Sequence, residues 1–303
     1  MNERKPRMRA IARVLLVVVV AAVSCVAAQS QAPTPEIEGK KEAEASPEAN
    51  AWLILRAGLQ NNSKDQRSTA ARALGLIPRN SEARRLAERA LADKEPEVRV
   101  AAASALGRMG AKQSAPRLRR ALNDKDPAVI LSAANSLHML RDPAAYSVYY
   151  AILTGESKTS EGLLKEQEKM LKDPKKMAVI GFEQGIGFIP FAGMGFQAFK
   201  MLTKDDSSPV RAAAAKALAR DPKPASAEAL VEAASEGSSI VRTAALEAIA
   251  ERGDPTLLPK IVKAMDDGKD VVRYTAAAAV VHLSSVKPKA AATDAGTKST
   301  AKK

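Results

Sequence analysis

Few side chains in this sequence could carry covalent, metal or proton-transfer chemistry. Its 303 residues contain two histidines, His138 and His282, and one cysteine, Cys25. A metal centre needs several imidazole, thiolate or carboxylate ligands converging at suitable spacing, and a general-base relay needs a histidine or carboxylate within reach of its partner. Neither histidine is followed by glutamate, and no Cys/His ligand spacing, serine–histidine–aspartate grouping or glycine-rich phosphate loop occurs. The "GIG" at 185–187 and "GMG" at 193–195 do not make a dinucleotide fingerprint, because no strand precedes them and the downstream spacing is wrong. These residues predict no catalytic, cofactor-binding or metal site and no small-molecule substrate, hence a protein that is not an enzyme. His138, one residue after Leu137 in a helical pattern, reads as a surface or groove side chain. Trp52 reads as core filling or capping.

Cys25 has a different chemistry available. Arg4, Lys5, Arg7, Arg9 and Arg13 form a positive n-region, and Val14 to Val23, "VLLVVVVAAV", is an apolar run of ten. That length suits a secretory signal and is too short to span a bilayer. Residues 1–28 are therefore expected to be a signal peptide, and the chain to be exported, as a periplasmic protein or a membrane-anchored lipoprotein. Two cleavage sites compete. "AVSC", residues 22–25, resembles a lipoprotein box in which Cys25 is lipidated; "VAAQ", residues 26–29, suits ordinary signal peptidase. An odd cysteine in an exported chain has no internal disulfide partner.

A second chemical anomaly is apolar. All five phenylalanines, Phe182, Phe188, Phe191, Phe196 and Phe199, fall within "GFEQGIGFIPFAGMGFQAF", residues 181–199, with five of the sixteen glycines. Leaving five rings in water forgoes on the order of 10 kcal/mol, comparable with the whole net stability of a domain. The rings therefore need a cover: the protein itself, lipid, or a partner. Glu183 and Pro190 argue against a true membrane span, leaving shallow docking at a membrane surface as the lipid reading. "IPFAGMG" reads as a turn between two short helices, with Phe196, Phe199 and Leu202 on one face of the second.

Charge excludes another class. The formal net charge is +13, of which residues 1–25 contribute +4 and residues 287–303 another +4. The remaining excess is dilute and comes with only 3% aromatic residues, unlike a nucleic-acid face. No nucleic acid is expected as a partner.

The elements that hold these residues form a repeat. "QRSTAARAL" (66–74), "VRVAAASAL" (98–106), "VILSAANSL" (129–137), "VRAAAAKAL" (210–218), "VRTAALEAI" (241–249) and "VRYTAAAAV" (272–280) align. Arg67, Arg99, Arg211, Arg242 and Arg273 share the second position, where the third unit has Ile130. Small residues recur at Ala70, Ala102, Ala133, Ala214, Ala245 and Ala276, and Leu74, Leu106, Leu137, Leu218, Ile249 and Val280 close the units. The second positions are 32, 31, 81, 31 and 31 residues apart, which marks an array. Each unit reads as two helices. Pro96, Pro127 and Pro209 suit the first turn of the first helix. Leu86/Leu91, Leu118/Leu122, Tyr149/Leu153, Leu230/Ala234 and Ile261/Met265 supply the apolar side of the second. Residues 47–62 read as an extra second helix that starts the stack. A lone pair cannot bury its apolar side, so the pairs must stack.

The pattern D-x-x-P-x-V-R-x-x-A-A-x-A-L resembles the HEAT repeat, in its short phycobilisome-lyase-like form, over most of residues 47–286. The resemblance implies an all-α solenoid of stacked helix pairs whose concave surface holds a protein client. It also implies a ladder between turn aspartates and helix arginines: Asp93 with Arg99, Asp206 with Arg211, continued by Arg242 and Arg273. Some HEAT-like proteins are enzymes. Those resembling deoxyhypusine hydroxylase hold two irons on paired His-Glu ligands, a set this sequence lacks. Bilin lyases are less bound to motifs and stand as an alternative. The expected organisation is signal 1–28, linker 29–46, repeats 47–156, a helical Gly/Phe-rich insertion 157–205, repeats 206–286, and a basic tail 287–303.

Overall fold

Helix starts follow the proline and capping residues. Pro47, Pro96, Pro127, Pro209 and Pro224 each stand in a first helical turn, where a missing N–H costs nothing. The side chains of Ser46, Asn80 and Asp126 accept hydrogen bonds from free N–H groups of the helices they precede. The computed structural model describes residues 46–155 and 207–287. Cys25, the five phenylalanines and Asp206 lie outside the described residues, as do the signal, the insertion and most of the linker and tail.

Twelve α-helices occur among the described residues. They are α1 (Pro47–Leu59), α2 (Lys64–Ala73), α3 (Ser81–Ala90), α4 (Pro96–Arg108), α5 (Ala115–Ala121), α6 (Pro127–Met139) and α7 (Ala145–Thr154), then α8 (Ser208–Leu218), α9 (Pro224–Ala233), α10 (Ser239–Arg252), α11 (Leu258–Ile261) and α12 (Asp270–Ser285). Residues 74–76, 112–114, 255–257 and 262–266 are 3₁₀ turns. The first helices of successive units stack, α2 on α4 on α6, and α8 on α10 on α12.

The order of stacking is not the order of the chain. α12 packs along α1 and against α2. The pairs therefore run α8/α9, α10/α11, α12/α1, α2/α3, α4/α5, α6/α7. The expectation that residues 47–62 start the stack is corrected: α1 is a second helix, but it completes the last unit of the chain in the middle of the array. Burial explains why. α12 is enclosed over most of its length, with Val272, Tyr274, all residues from Thr275 to Val281, and Leu283 buried. Such a helix is stable only when enclosed. Among the described residues the stack ends are instead α7, which buries only Ala145, and α8, which buries only Ala212 and Ala215. Residues 156–206 thus join opposite ends of the stack, not neighbouring units.

The repeat alanines set the spacing. Ala70, Ala102, Ala133, Ala245 and Ala276 are fully buried, whereas Ala214, on the end helix α8, is exposed. Leu74, Leu106, Leu137, Ile249 and Val280 are also fully buried, each contributing about 1.5–3 kcal/mol. At the α4–α6 crossing a Cβ on Gly107 would fall 2.7 Å from Ser136 Oγ, and that hydroxyl donates to the Ala103 carbonyl at 2.8 Å. Leu153, expected in the apolar side of a second helix, is 86% exposed because no further unit among the described residues stacks on α7.

Candidate functional site

The ladder forms, one step out of the expected register. Asp93 does not pair with Arg99 through its carboxylate. Arg67, one unit earlier, donates to both Asp93 oxygens at 2.8 and 3.0 Å, and Arg99 reaches forward to both oxygens of Asp124 at 2.8 and 2.7 Å. Arg242 does the same with Asp267 at 2.8 and 3.0 Å. Arg211 pairs with Glu236. Arg67, Arg99, Arg211 and Arg242 each therefore grip the turn of the next unit, because parallel stacked helices place that turn beside the guanidinium. The turn of its own unit supplies carbonyls instead: Arg99 Nη1 donates to the Asp93 and Lys94 carbonyls, both at 3.0 Å.

Burial raises the carboxyl pKa of Asp124 and Asp267, but hydrogen bonds from Arg99 and Arg242 and from the backbone N–H of Asp126 and Lys269 outweigh it, holding both below the usual carboxylate range. For Asp93 the hydrogen bond from Arg67 is the largest cause, and the pKa is again lowered. Arg273 meets a different turn. The next unit in the stack offers Asn61 in place of an acid, and Arg273 turns to Asp270 in its own helix and to the Asp267 carbonyl. Ile130 stands on the last first helix of the stack, where no described unit follows for an arginine to grip.

No group of three His, Cys, Asp or Glu that could hold a metal occurs among the described residues. His138 lies edge-on to Tyr146 and Tyr149, with ring centroids 6.1 and 6.0 Å away. His282, on α12, has a buried Nδ1 with no partner, and burial lowers its pKa. Trp52 is 8% exposed within the core, with Arg56 over its ring.

Two surfaces stand out. At the α6–α7 end, Met139, Tyr146, Tyr150 and Leu153 are between 57% and 86% exposed, and the chain runs from there into residue 156. The other surface was missed in the sequence. The second helices α3 and α5 carry Arg84, Arg85, Arg89, Arg117, Arg119 and Arg120. The signal lay in a charge count taken block by block: residues 46–155 have 17 Lys/Arg against 10 Asp/Glu, and residues 207–287 have 11 against 10. Glu88 ties the two helices together, accepting from Ser114 Oγ at 2.6 Å and lying 3.2 Å from Arg117 Nε. Arg119 donates to both carboxylate oxygens of Asp142.

No curated protein matches the chain. Solved structures similar to it include two helical-repeat proteins. The structure of human deoxyhypusine hydroxylase in complex with glycerol shares 17% identity, covers 78% of this chain and 97% of its own, and has a TM-score of 0.33. The complex of CpcE and CpcF of phycocyanin lyase from Nostoc sp. PCC7120 shares 20% identity, covers 82% of this chain and 100% of its own, and has a TM-score of 0.29. HEAT repeats match residues 53–137, 83–158 and 197–281, more than half of the sequence. With its alternating helix pairs, its buried alanine column and its arginine ladder, the chain belongs to the HEAT repeat family.

Proposed function

We propose that this chain is an exported, non-enzymatic scaffold that holds another protein on its stacked helix pairs, with the Phe/Gly insertion as an apolar contact element. The observation that carries the reading is the bare apolar side of the α6–α7 end: Met139, Tyr146, Tyr150 and Leu153 face solvent at the point where the chain enters the stretch that contains Phe182, Phe188, Phe191, Phe196 and Phe199. A large exposed apolar patch is the usual surface sign of a binding site, and stacked repeats supply the extended surface around it. Export supports a client outside the cytoplasm, with Cys25 either lipidated or removed with the signal.

The test compares the mature chain with a variant lacking residues 159–204, each immobilised and challenged with an envelope extract. The reading expects a defined set of proteins on the first and its loss from the second. Recovery of the same set by both overturns the role of the insertion. Sedimentation with phospholipid vesicles that is abolished by the deletion replaces it with docking at a membrane surface, and visible absorbance of the purified protein replaces it with a chromophore-handling activity.

A further inference from the structure

We propose that the outward face of α3 and α5 receives an acidic polypeptide segment, held by Arg85, Arg89, Arg117 and Arg120. This rests on the protein-binding reading above and names the chemistry of the partner.

α3 buries Ala83, Leu86 and Ala87. Arg85 and Arg89, four residues apart and both exposed, therefore share its opposite side. α5 buries Leu118 and exposes Arg117 and Arg120. The bonds from Ser114 and Arg117 to Glu88 fix the two helices side by side, so the arginines form one face. Arg117 and Arg119 have acidic partners in the fold, whereas Arg85, Arg89 and Arg120 have no carboxylate within bonding distance among the described residues. Their donors are free. The opposite end of the array differs: α9 has no cationic residue, and its Glu228 and Glu232 are exposed.

Three features select carboxylates on a polypeptide. All six cations of α3 and α5 are arginine and none is lysine, and the planar guanidinium fork suits two-point recognition of an oxyanion. The protein already uses that geometry on Asp93, Asp124, Asp142 and Asp267. Neither helix carries an aromatic side chain on which a base could stack. Neither exposes a large apolar side chain that could enter a lipid interface, since Leu53, Met139, Tyr146, Tyr150, Leu153 and Val210 all lie elsewhere.

The test uses the mature chain and a fluorescent oligoglutamate peptide, titrated at about 50 mM and about 150 mM salt. The variant is Arg85→Ala with Arg89→Ala and Arg120→Ala, three exposed residues that make no hydrogen bond or ion pair among the described residues. The control is Lys260→Ala with Lys263→Ala on the other block. The expected result is binding by the parent that weakens with salt, about tenfold weaker binding by the triple variant as three surface ion pairs are lost, and no change in the control. Equal affinity of parent and triple variant, or no binding by the parent at low salt, overturns the proposal. So does binding to phosphatidylglycerol vesicles that the triple variant loses while neither protein binds the peptide. If the envelope proteins are recovered equally by parent and triple variant, the protein-binding reading stands and this face is not its site. If recovery fails for the parent while the peptide still discriminates the variants, the face stands and that reading falls.

Discussion

Gly58 and Tyr274, at opposite ends of the sequence, touch: a Cβ added to Gly58 would lie 2.5 Å from Tyr274 Cε1 and 2.8 Å from Ala70 Cβ. Tyr274 is 3% exposed and its hydroxyl donates to Gln66 Oε1 at 3.3 Å. Gly58 is in the last turn of α1 and Tyr274 in the second turn of α12, so the two helices run antiparallel, as a pair within one unit does.

Replacing Gly58 by leucine is expected to destabilise the protein. Helix propensity gains about 1 kcal/mol, but overpacking a closed contact costs about 1–3 kcal/mol and more for a side chain this large. Tyr274→Ala empties the same contact and is expected to cost about 3 kcal/mol. Urea denaturation of both variants measures this; a loss below about 0.5 kcal/mol in each would remove the junction.

Truncation after Gly268 deletes α12. In a stack ordered as the chain is, the amino-terminal units would not notice. Here α1 and α2 lose the helix that covers them, and amide hydrogen exchange in residues 47–73 is expected to rise by orders of magnitude toward that of locally unfolded chain.

The ladder carries the acid response. Arg99→Ala leaves Asp124 half-buried without its cation and is expected to cost about 3 kcal/mol. The carboxyl pKa values of Asp93, Asp124 and Asp267 are lowered by folding, so their contribution is complete above the unfolded value near 4 and is lost as pH falls through the folded values. Stability should fall steeply below pH of about 4 in the parent and less steeply in Arg99→Ala, read from urea midpoints at each pH.

His282 acts in a separate window. Burial lowers its pKa below the ordinary value of 6.5, so the unfolded chain binds the proton more readily and stability falls as pH drops below that value. The ladder carboxylates Asp93, Asp124 and Asp267, held below the usual carboxylate range, act at lower pH than this window. From about pH 7 down to about 5.5 the parent should lose stability and His282→Leu should not, by thermal denaturation.

Much of this architecture was legible in the sequence, because a repeated pattern states its local packing six times. Arg67, Ala70 and Leu74 recur in later units, and their spacing identified the helix, its buried side and its approach distance. The order of the stack was not legible from the same evidence. Identical columns make every unit an equally good neighbour for every other, and the one discriminating signal was α12, whose "TAAAAVV" leaves no polar side for an end position. The register of the ladder failed for a related reason: Asp93 is nearer in sequence to Arg99, whose guanidinium takes its carbonyl, while its carboxylate is held by Arg67. Asn61 and Ile130 broke the pattern at the α12–α2 junction and at a stack end, and their meaning emerged only with the order. The arginines of α3 and α5 were hidden by averaging charge over the whole chain.

Because α12 and α1 are antiparallel partners, the end of one lies beside the start of the other, and the two blocks, 46–155 and 207–287, are linked covalently only by the connector between α7 and α8. That connector keeps the blocks at high effective concentration for each other. One proteolytic nick anywhere within it turns a unimolecular fold into an equilibrium between two fragments, whose melting temperature then depends on dilution.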